Sequence, residues 1–545
     1  MRERPLQVLA ETFGFDAFRP GQEQVIDALL AGRSALAVFP TGAGKSLCYQ
    51  LPALLFDGMT VVVSPLIALM KDQIDFLRRS GIDAERLDSS LDAAEQRQIF
   101  DRLRAGSLRL LYVAPERFNN ERFLAQLARV RISLFAVDEA HCISEWGHNF
   151  RPDYLKLAER ARELAAERVL ALTATATTAV VADIRAGFGI EERDAVVTGF
   201  YRPNLMLLTT PVGTLRVAAL LAGAGLPARA YHAGMSAEER EAVQEWWSRS
   251  PDAIVVATIA FGMGIDKANV RYVYHYNLPK SLESYSQEIG RAGRDGAESI
   301  CELFACADDV PTLENFAFGD TPTREALSGL LAEVLGHPLG TEFALSEYEL
   351  SVRHDLRVLV LKTILTYLEL DGLLRQGTPF YAGYRLRPLG DRSLDDVVDR
   401  FDESRAGFLR RLIATGKSGR SWTTLAPDDA AAELGEQRSR ILAALEYLDE
   451  QGLVELQPAD VRQRYTLLAH PDSEPELVDR LLERFARRES AETARIENVL
   501  ALVTKDGCQV IALAGYFGEI RTEQCGHCTY CLSGRAQRLP EAVQM

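Results

Sequence analysis

Ala37-Val38-Phe39-Pro40-Thr41-Gly42-Ala43-Gly44-Lys45-Ser46 decides how this chain is read. The apolar run from Ser34 to Phe39 reads as a buried parallel strand. It breaks at Pro40 into a glycine-containing turn, and Lys45 onward reads as the start of a helix. Backbone N–H groups of such a turn point inward at phosphate oxygens, and the helix N-terminus adds partial positive charge. Gly42 and Gly44, with Thr41 and Ala43 between and before them, let the backbone come close to a phosphate. Lys45 is placed to reach the β- and γ-phosphates of a nucleotide, and the Ser46 hydroxyl to ligate Mg²⁺. The strict phosphate-loop pattern has glycine where this chain has Phe39. A plain glycine turn between strand and helix is the other reading of this stretch.

Outward from that loop, composition sets the bounds. The chain has 545 residues, 47% hydrophobic and 25% charged, enough for about three or four domains. No run of about 18 apolar residues occurs, so no membrane span is expected. The N-terminus Met-Arg-Glu-Arg-Pro has no signal-peptide apolar segment, which predicts a cytoplasmic protein. The net charge of −16 argues against a nonspecific basic DNA coat but leaves room for a local basic channel. Cys48, Cys142, Cys301 and Cys306 are scattered and read as reduced thiols.

Residues 7–31 read as two helices around Phe-Gly-Phe-Asp-Ala-Phe-Arg-Pro-Gly-Gln. Arg19 and Gln22 beside an aromatic can bond the edge of an adenine; a helix cap with a satisfied glutamine fits equally. After the loop, apolar runs end one after another in polar residues. Thr60–Ser64 leads into Ser64-Pro65, Leu108–Val113 into Ala114-Pro115-Glu116, Ile132–Val137 into Asp138-Glu139-Ala140-His141, and Val169–Leu172 into Thr173-Ala174-Thr175. That pattern predicts a doubly wound parallel α/β sheet with its site at the carboxyl ends of the strands. Asp138 at a strand tip can hold Mg²⁺, and Glu139 beside it can orient or deprotonate water. Two adjacent acids could instead cap the next helix.

Asp138-Glu139-Ala140-His141, followed by Cys-Ile-Ser-Glu-Trp-Gly-His-Asn-Phe-Arg-Pro-Asp-Tyr (142–154), resembles the RecQ family of superfamily 2 DNA helicases. The resemblance implies two RecA-like α/β domains around an ATP cleft. It also implies that Ser144, Trp146, His148, Phe150 and Arg151 belong to an aromatic-rich loop coupling DNA contact to ATP hydrolysis. Aromatics interleaved with His and Arg suit stacking on unpaired bases, though a loop packed on the next domain is the bland alternative. Ser64, Pro65, Thr173 and Thr175 are expected to join the DNA contacts. In the second domain, Ser-Tyr-Ser-Gln-Glu-Ile-Gly-Arg-Ala-Gly-Arg-Asp-Gly (284–296) matches the family's ATP-sensing motif. It is read as a helix carrying Arg291 and Arg294 on one face as arginine fingers, with Gln287 beside them. His232 in Tyr-His-Ala-Gly-Met also matches.

Two features depart from the family pattern. Members begin the second domain with a strand like Gly-Ile-Ile-Tyr-Cys, and the stretch Asn204 to Tyr231 is too short to hold it. Either Leu205–Thr210 takes that strand's place or the domain is incomplete. Downstream, 342–374 with a strand pair at 375–388, and 408–468, read as winged-helix patterns, which bind duplex DNA or dock proteins. The wing at 375–388 is the expected strand-separating hairpin. At the end, Cys508, Cys525, Cys528 and Cys531 can close a tetrahedral thiolate cage around a structural Zn²⁺, with His527 as a rival ligand. This resembles the RecQ zinc module, which in most members precedes the winged helix rather than following it.

The expected organisation is therefore two RecA-like doubly wound parallel-sheet domains (1–200 and 201–318), winged-helix-like α+β elements (319–400 and 401–472) and a small helical zinc-binding module (473–545). The resemblance implies an ATP-dependent DNA helicase with cofactors ATP, Mg²⁺ and Zn²⁺, acting on single-stranded and forked DNA in repair or recombination. It would be cytoplasmic, or nucleoid-associated in a bacterium. An ATP-binding DNA-docking scaffold, a translocase with weak unwinding, and an RNA helicase are the alternatives.

Overall fold

A computed structural model describes residues 3–65, 67–87, 91, 93–144, 151–211, 221–232, 234–258, 267–389, 393–419 and 421–539. The chain divides into two compact units. One comprises 1–118, 122–321 and 482–545; the other comprises 119–121 and 322–481.

The first unit opens with a seven-stranded parallel sheet. Its strands are β1 (Ala35–Val38), β2 (Met59–Val63), β3 (Ala84–Leu87), β4 (Leu110–Val113), β5 (Ile132–Val137), β6 (Val169–Thr173) and β7 (Ala195–Val197), in the order β3-β4-β2-β5-β6-β1-β7. Strand side chains alternate between faces, so two cores form. Leu36, Val38, Val61, Val63, Phe135 and Val137 pack on one side. Ala35, Ala37, Val62, Leu134, Ala136 and Leu170 pack on the other. Burial on both faces is why these strands read as continuous apolar runs. The register Val38↔Thr173 and Val63↔Val137 brings the strand ends, and the loops after them, to one edge.

The second α/β half is divided. β8 (Leu205–Pro211), β11 (Tyr272–His275) and β12 (Ser299–Ala305) form a three-stranded parallel sheet in the order β11-β12-β8, while β9 (Ala228–Tyr231) and β10 (Ile254–Ala257) pair only with each other. Among the described residues no strand joins β10 to β11. Leu205–Thr210 pairs with β12, Leu205 opposite Ser299. The expected helix 215–224 falls largely outside the described residues. One face of the three-stranded sheet (Leu205, Leu207, Cys301, Leu303) packs against Val499, Leu502, Val510, Leu513 and Phe517 of the C-terminal segment.

The second unit differs from the expected pair of separate winged helices. The predicted hairpin at 375–388 does not form: β14 (Leu374–Gln376) and β15 (Phe380–Pro388) do not pair with each other. Both pair with one 14-residue strand, β18 (Val454–Leu467). The far half of β18 lies between β13 (Glu342–Leu345) and β14. Its near half pairs with β15, which continues to β17 (Thr423–Leu425) and β16 (Lys417–Ser418). Each helical half thus receives a strand from across the chain. Ladder pairing over many residues outweighs a local turn at Gly-Thr-Pro, because β14 and β15 are then both satisfied along their length.

Candidate active site and zinc centre

The loop after β1 has the shape its glycines allow. Gly42 and Gly44 adopt φ of 86° and 81°, the left-handed region. A Cβ on Gly44 would also lie 2.6 Å from Gln22 Nε2. Phe39, in the place of the pattern's first glycine, is fully buried; it fits only because Gly21 faces it, where a Cβ would come within 2.8 Å of the ring. Gln22 is spent on this loop: Nε2 donates to Gly44 O at 2.9 Å and Oε1 accepts from Arg19 N–H at 2.8 Å. Arg19 Nη1 donates to Gly42 O at 2.5 Å. Both residues brace the loop, as the satisfied-glutamine reading has it. Lys45 donates to Phe39 O at 3.3 Å, and burial lowers its pKa.

Asp138 and Glu139 follow β5. The Asp138 carboxylate accepts from Glu139 N–H at 3.0 Å, and Tyr154 donates to the Asp138 carbonyl at 3.1 Å. Glu139 takes a left-handed φ of 51°. Burial, and then the neighbouring Glu139 charge, push Asp138 up to about 7. Burial also works against the Glu139 carboxylate, but His141 and Lys45 hold it below its usual range. His141 Nδ1 sits 3.2 Å from Glu139 Oε2 and 2.9 Å from Thr173 Oγ1. Thr173 donates to Thr175 O at 3.1 Å, and Gln287 of the second half donates to Thr175 Oγ1 at 3.1 Å. A polar chain therefore runs from Glu139 across the cleft to Gln287. His141 was not among the expected site residues, although its position two after Glu139 was the available signal.

This geometry revises several expectations. Thr173 and Thr175 are 0% and 2% exposed and spent on the chain just described, so neither is open to DNA. Ser64 is buried as well, and Ser144 is buried with its hydroxyl donated to Asp183 at 2.6 Å. Arg151 is partly buried and Pro65 half-buried. Trp146, His148 and Phe150 lie outside the described residues. Arg291 and Arg294 do not sit on a helix: the helix ends at Ile289, and both follow in a turn containing Gly293 at φ 54°. That turn meets the loop after β1. The Arg294 stem lies 3.4 Å from where a Gly42 Cβ would stand, and a Gly290 Cβ would lie 3.1 Å from Thr41 Cβ. Burial and Arg294 lower Arg291 to about 10, which leaves it charged near neutrality. His232 follows β9 and is exposed.

Two metals fit the donors present. Burial and Glu139 raise the Asp138 carboxyl to about 7 although Lys45 and His141 act to lower it, and a divalent ion held by Asp138 and Ser46 would favour its charged form. The Cys508, Cys525, Cys528 and Cys531 sulfurs all lie within 4.8 Å of one another. The pairs Cys525–Cys531 and Cys508–Cys528 stand at 3.9 and 4.0 Å, close to the roughly 3.8 Å edge of a zinc–thiolate tetrahedron. Backbone N–H groups of Cys525 and His527 point at Cys508 and Cys525 sulfurs. His527 is not a ligand here; its Nε2 faces Tyr201 OH at 3.4 Å.

Residues 19–184 match the DEAD/DEAH box helicase family, 202–296 the helicase conserved C-terminal domain and 459–532 the RecQ zinc-binding family. The ATP-dependent DNA helicase RecQ of Pasteurella multocida is 43% identical over 376 residues, 64% of this chain and 58% of that protein. RecQ of Haemophilus influenzae is 43% identical over 59% of this chain and 57% of its own length. A probable ATP-dependent DNA helicase RecS of Bacillus subtilis is 36% identical over 60% of this chain and 71% of its own length. The chain belongs to the RecQ family of superfamily 2 helicases. It spans little more than half the length of the first two RecQ relatives. Among the described residues no helix is long and apolar enough to cross a membrane.

Proposed function

We propose that this RecQ-family chain is an ATP-dependent DNA helicase. It hydrolyses ATP with Mg²⁺, moves along single-stranded DNA and unwinds duplex or forked DNA ahead of it, 3′→5′ as in its family, in repair or recombination. The observation that carries this reading is the junction of the two α/β halves. Gln287 closes the chain from Glu139, and the arginine-bearing turn rests on the phosphate loop, although among the described residues the strands of the second half form two separate sheets. Lys45 and the loop amides hold phosphate, Ser46 and Asp138 hold the metal, and Glu139 takes the proton of the attacking water. Arg291 and Arg294 offset charge on the transferring group. Zinc ties the C-terminal module together and supplies no reaction step.

Trp146, His148, Phe150 and Arg151 are the residues to test for base contact. In the second unit, two arginines of the long strand and one at the start of a helix are already engaged in ion pairs. Arg462 pairs with Glu349, Arg464 with Glu342 and Arg438 with Asp428.

The test is the ATPase rate with and without single-stranded DNA, beside Lys45→Ala. The expected result is DNA stimulation, lost by about a hundredfold or more in the variant. A flat rate that the mutation leaves unchanged overturns the reading. Stimulation by RNA in place of DNA would select an RNA helicase. The divided second sheet favours one further reading, a translocase that moves without separating strands. Normal stimulated hydrolysis with no strand displacement on forked DNA would select it.

A further inference from the structure

The turn Gly290–Arg294 places two arginines at the cleft without a helix to hold it. Beyond the end of a helix, carbonyls need outside donors. Here Arg202 provides them: Nη2 donates to Ala292 O at 2.9 Å and to Gly293 O at 2.8 Å, and Nη1 approaches Gly290 O at 3.4 Å. Asn204 adds Nδ2 to Gly293 O at 2.8 Å and to Ala297 O at 3.1 Å. A planar guanidinium can span three carbonyls at once, and a cation is favourable at a helix C-terminus. The hydrogen bonds of the Arg202 guanidinium go to carbonyls of this turn.

Arg202 is seated from the other side by the cysteine module. Phe200 N–H and Tyr201 N–H both donate to Glu519 Oε2, at 2.6 and 3.1 Å. The Phe200 ring stacks on Phe517 at 4.4 Å, and the Arg521 guanidinium lies 3.5 Å over the Tyr201 ring. A Cβ on Gly199 would come within 3.2 Å of the same Glu519 oxygen, so the approach depends on glycine there. Glu519 lies between Cys508 and Cys525. The segment joining the two α/β halves is thus gripped by the module immediately before the residue that caps the arginine turn.

We propose that Arg202 is a positioning residue for Arg291 and Arg294, and that Glu519 sets where Arg202 sits. The inference rests on the hydrolytic reading above and adds a structural route to it: cysteine module, joining segment, arginine turn. Because Arg202 acts on a turn and not on nucleotide, its loss lowers turnover and leaves ATP affinity in place.

The experiment compares the full chain with Arg202→Gln, Arg202→Lys, Glu519→Ala and Glu519→Gln. It reads amide hydrogen exchange over 286–299, zinc content, and kcat and KM for ATP with single-stranded DNA. In Arg202→Gln, faster exchange over 286–299 is expected, with kcat down about tenfold or more and KM within about twofold. Arg202→Lys, which keeps charge but loses the fork, falls between. Glu519→Ala follows Arg202→Gln at unchanged zinc content. Glu519→Gln, which keeps one oxygen for the two N–H groups, stays within about twofold of wild type. Unchanged exchange over 286–299, or faster exchange with unchanged kcat, overturns the proposal. If Arg202→Gln does not fold, Arg202→Lys and Glu519→Ala decide by the same criteria. A wild-type chain that hydrolyses nothing refutes the hydrolytic reading alone; the exchange arm still decides whether Arg202 and Glu519 hold the turn.

Discussion

In the first α/β half, β1, β2, β4, β5 and β6 are buried along their whole length. In the second half, β11 exposes Tyr272 and Tyr274 at 59% and 55%. Their rings stack in parallel with Phe304 along the open face of the three-stranded sheet. A parallel sheet normally buries both faces, and the first half obeys that rule while the second does so on one face only. The covered face is the one packed against the cysteine module. The comparison teaches that the first half is held by its own two cores. The second is held by what is stapled to it, and the arginine turn is placed by contacts at its ends.

Removing zinc is the strongest way to break this comparison. A Cys528→Ser change, at a fully buried position of the four-cysteine cluster, removes a candidate zinc ligand, and a structural zinc site is worth on the order of 10 kcal/mol. Calorimetry is expected to show the second half melting at lower temperature while the first half's transition stays. A single shifted transition for both would show that the halves are not held independently. Next come Arg291→Ala and Arg294→Ala, each expected to lower kcat by about a thousandfold while a fluorescent nucleotide still binds. A loss below about threefold would mean that the turn does not serve the site.

The contrast in burial can be sharpened by paired substitutions. Phe135→Ala, in a fully buried strand, is expected to cost about 3–5 kcal/mol in denaturant unfolding. Tyr274→Thr is expected to stay within about 0.5 kcal/mol. A cost above about 2 kcal/mol for Tyr274→Thr would mean that the open face is covered in solution. A modest effect on turnover belongs to Gln287→Ala, which removes one neutral hydrogen bond to Thr175. It should cost about 1 kcal/mol, read as a fall in kcat of roughly fivefold.

What the sequence made legible follows the same division. β1, β2, β5 and β6 were readable because double-faced burial writes continuous apolar runs, and Asp138 was readable because it ends one. The four cysteines were legible because thiolate cages demand close spacing. The helix Leu282–Ile289 was also readable, but its end was not. Ser286 to Arg294 matches the family motif as one stretch, and the carbonyls that Arg202 and Asn204 cap lie far from them in sequence. Thr173, Thr175 and Ser144 looked like surface contacts because nothing local reveals that His141, Gln287 and Asp183 claim them. The joined sheet of the second unit was hidden for a similar reason. Gly377-Thr378-Pro379 is a good local turn, and the partner that displaces it lies beyond residue 453.

That shared strand has a consequence for how the protein is made. The strands Glu342–Leu345 and Leu374–Gln376 leave the ribosome long before residues 463–467, which must lie between them. At roughly 5–20 residues per second, the first helical half waits on the order of ten seconds with two unpaired strand edges. It closes only when the second half has also emerged, so the two mature together as one folding event.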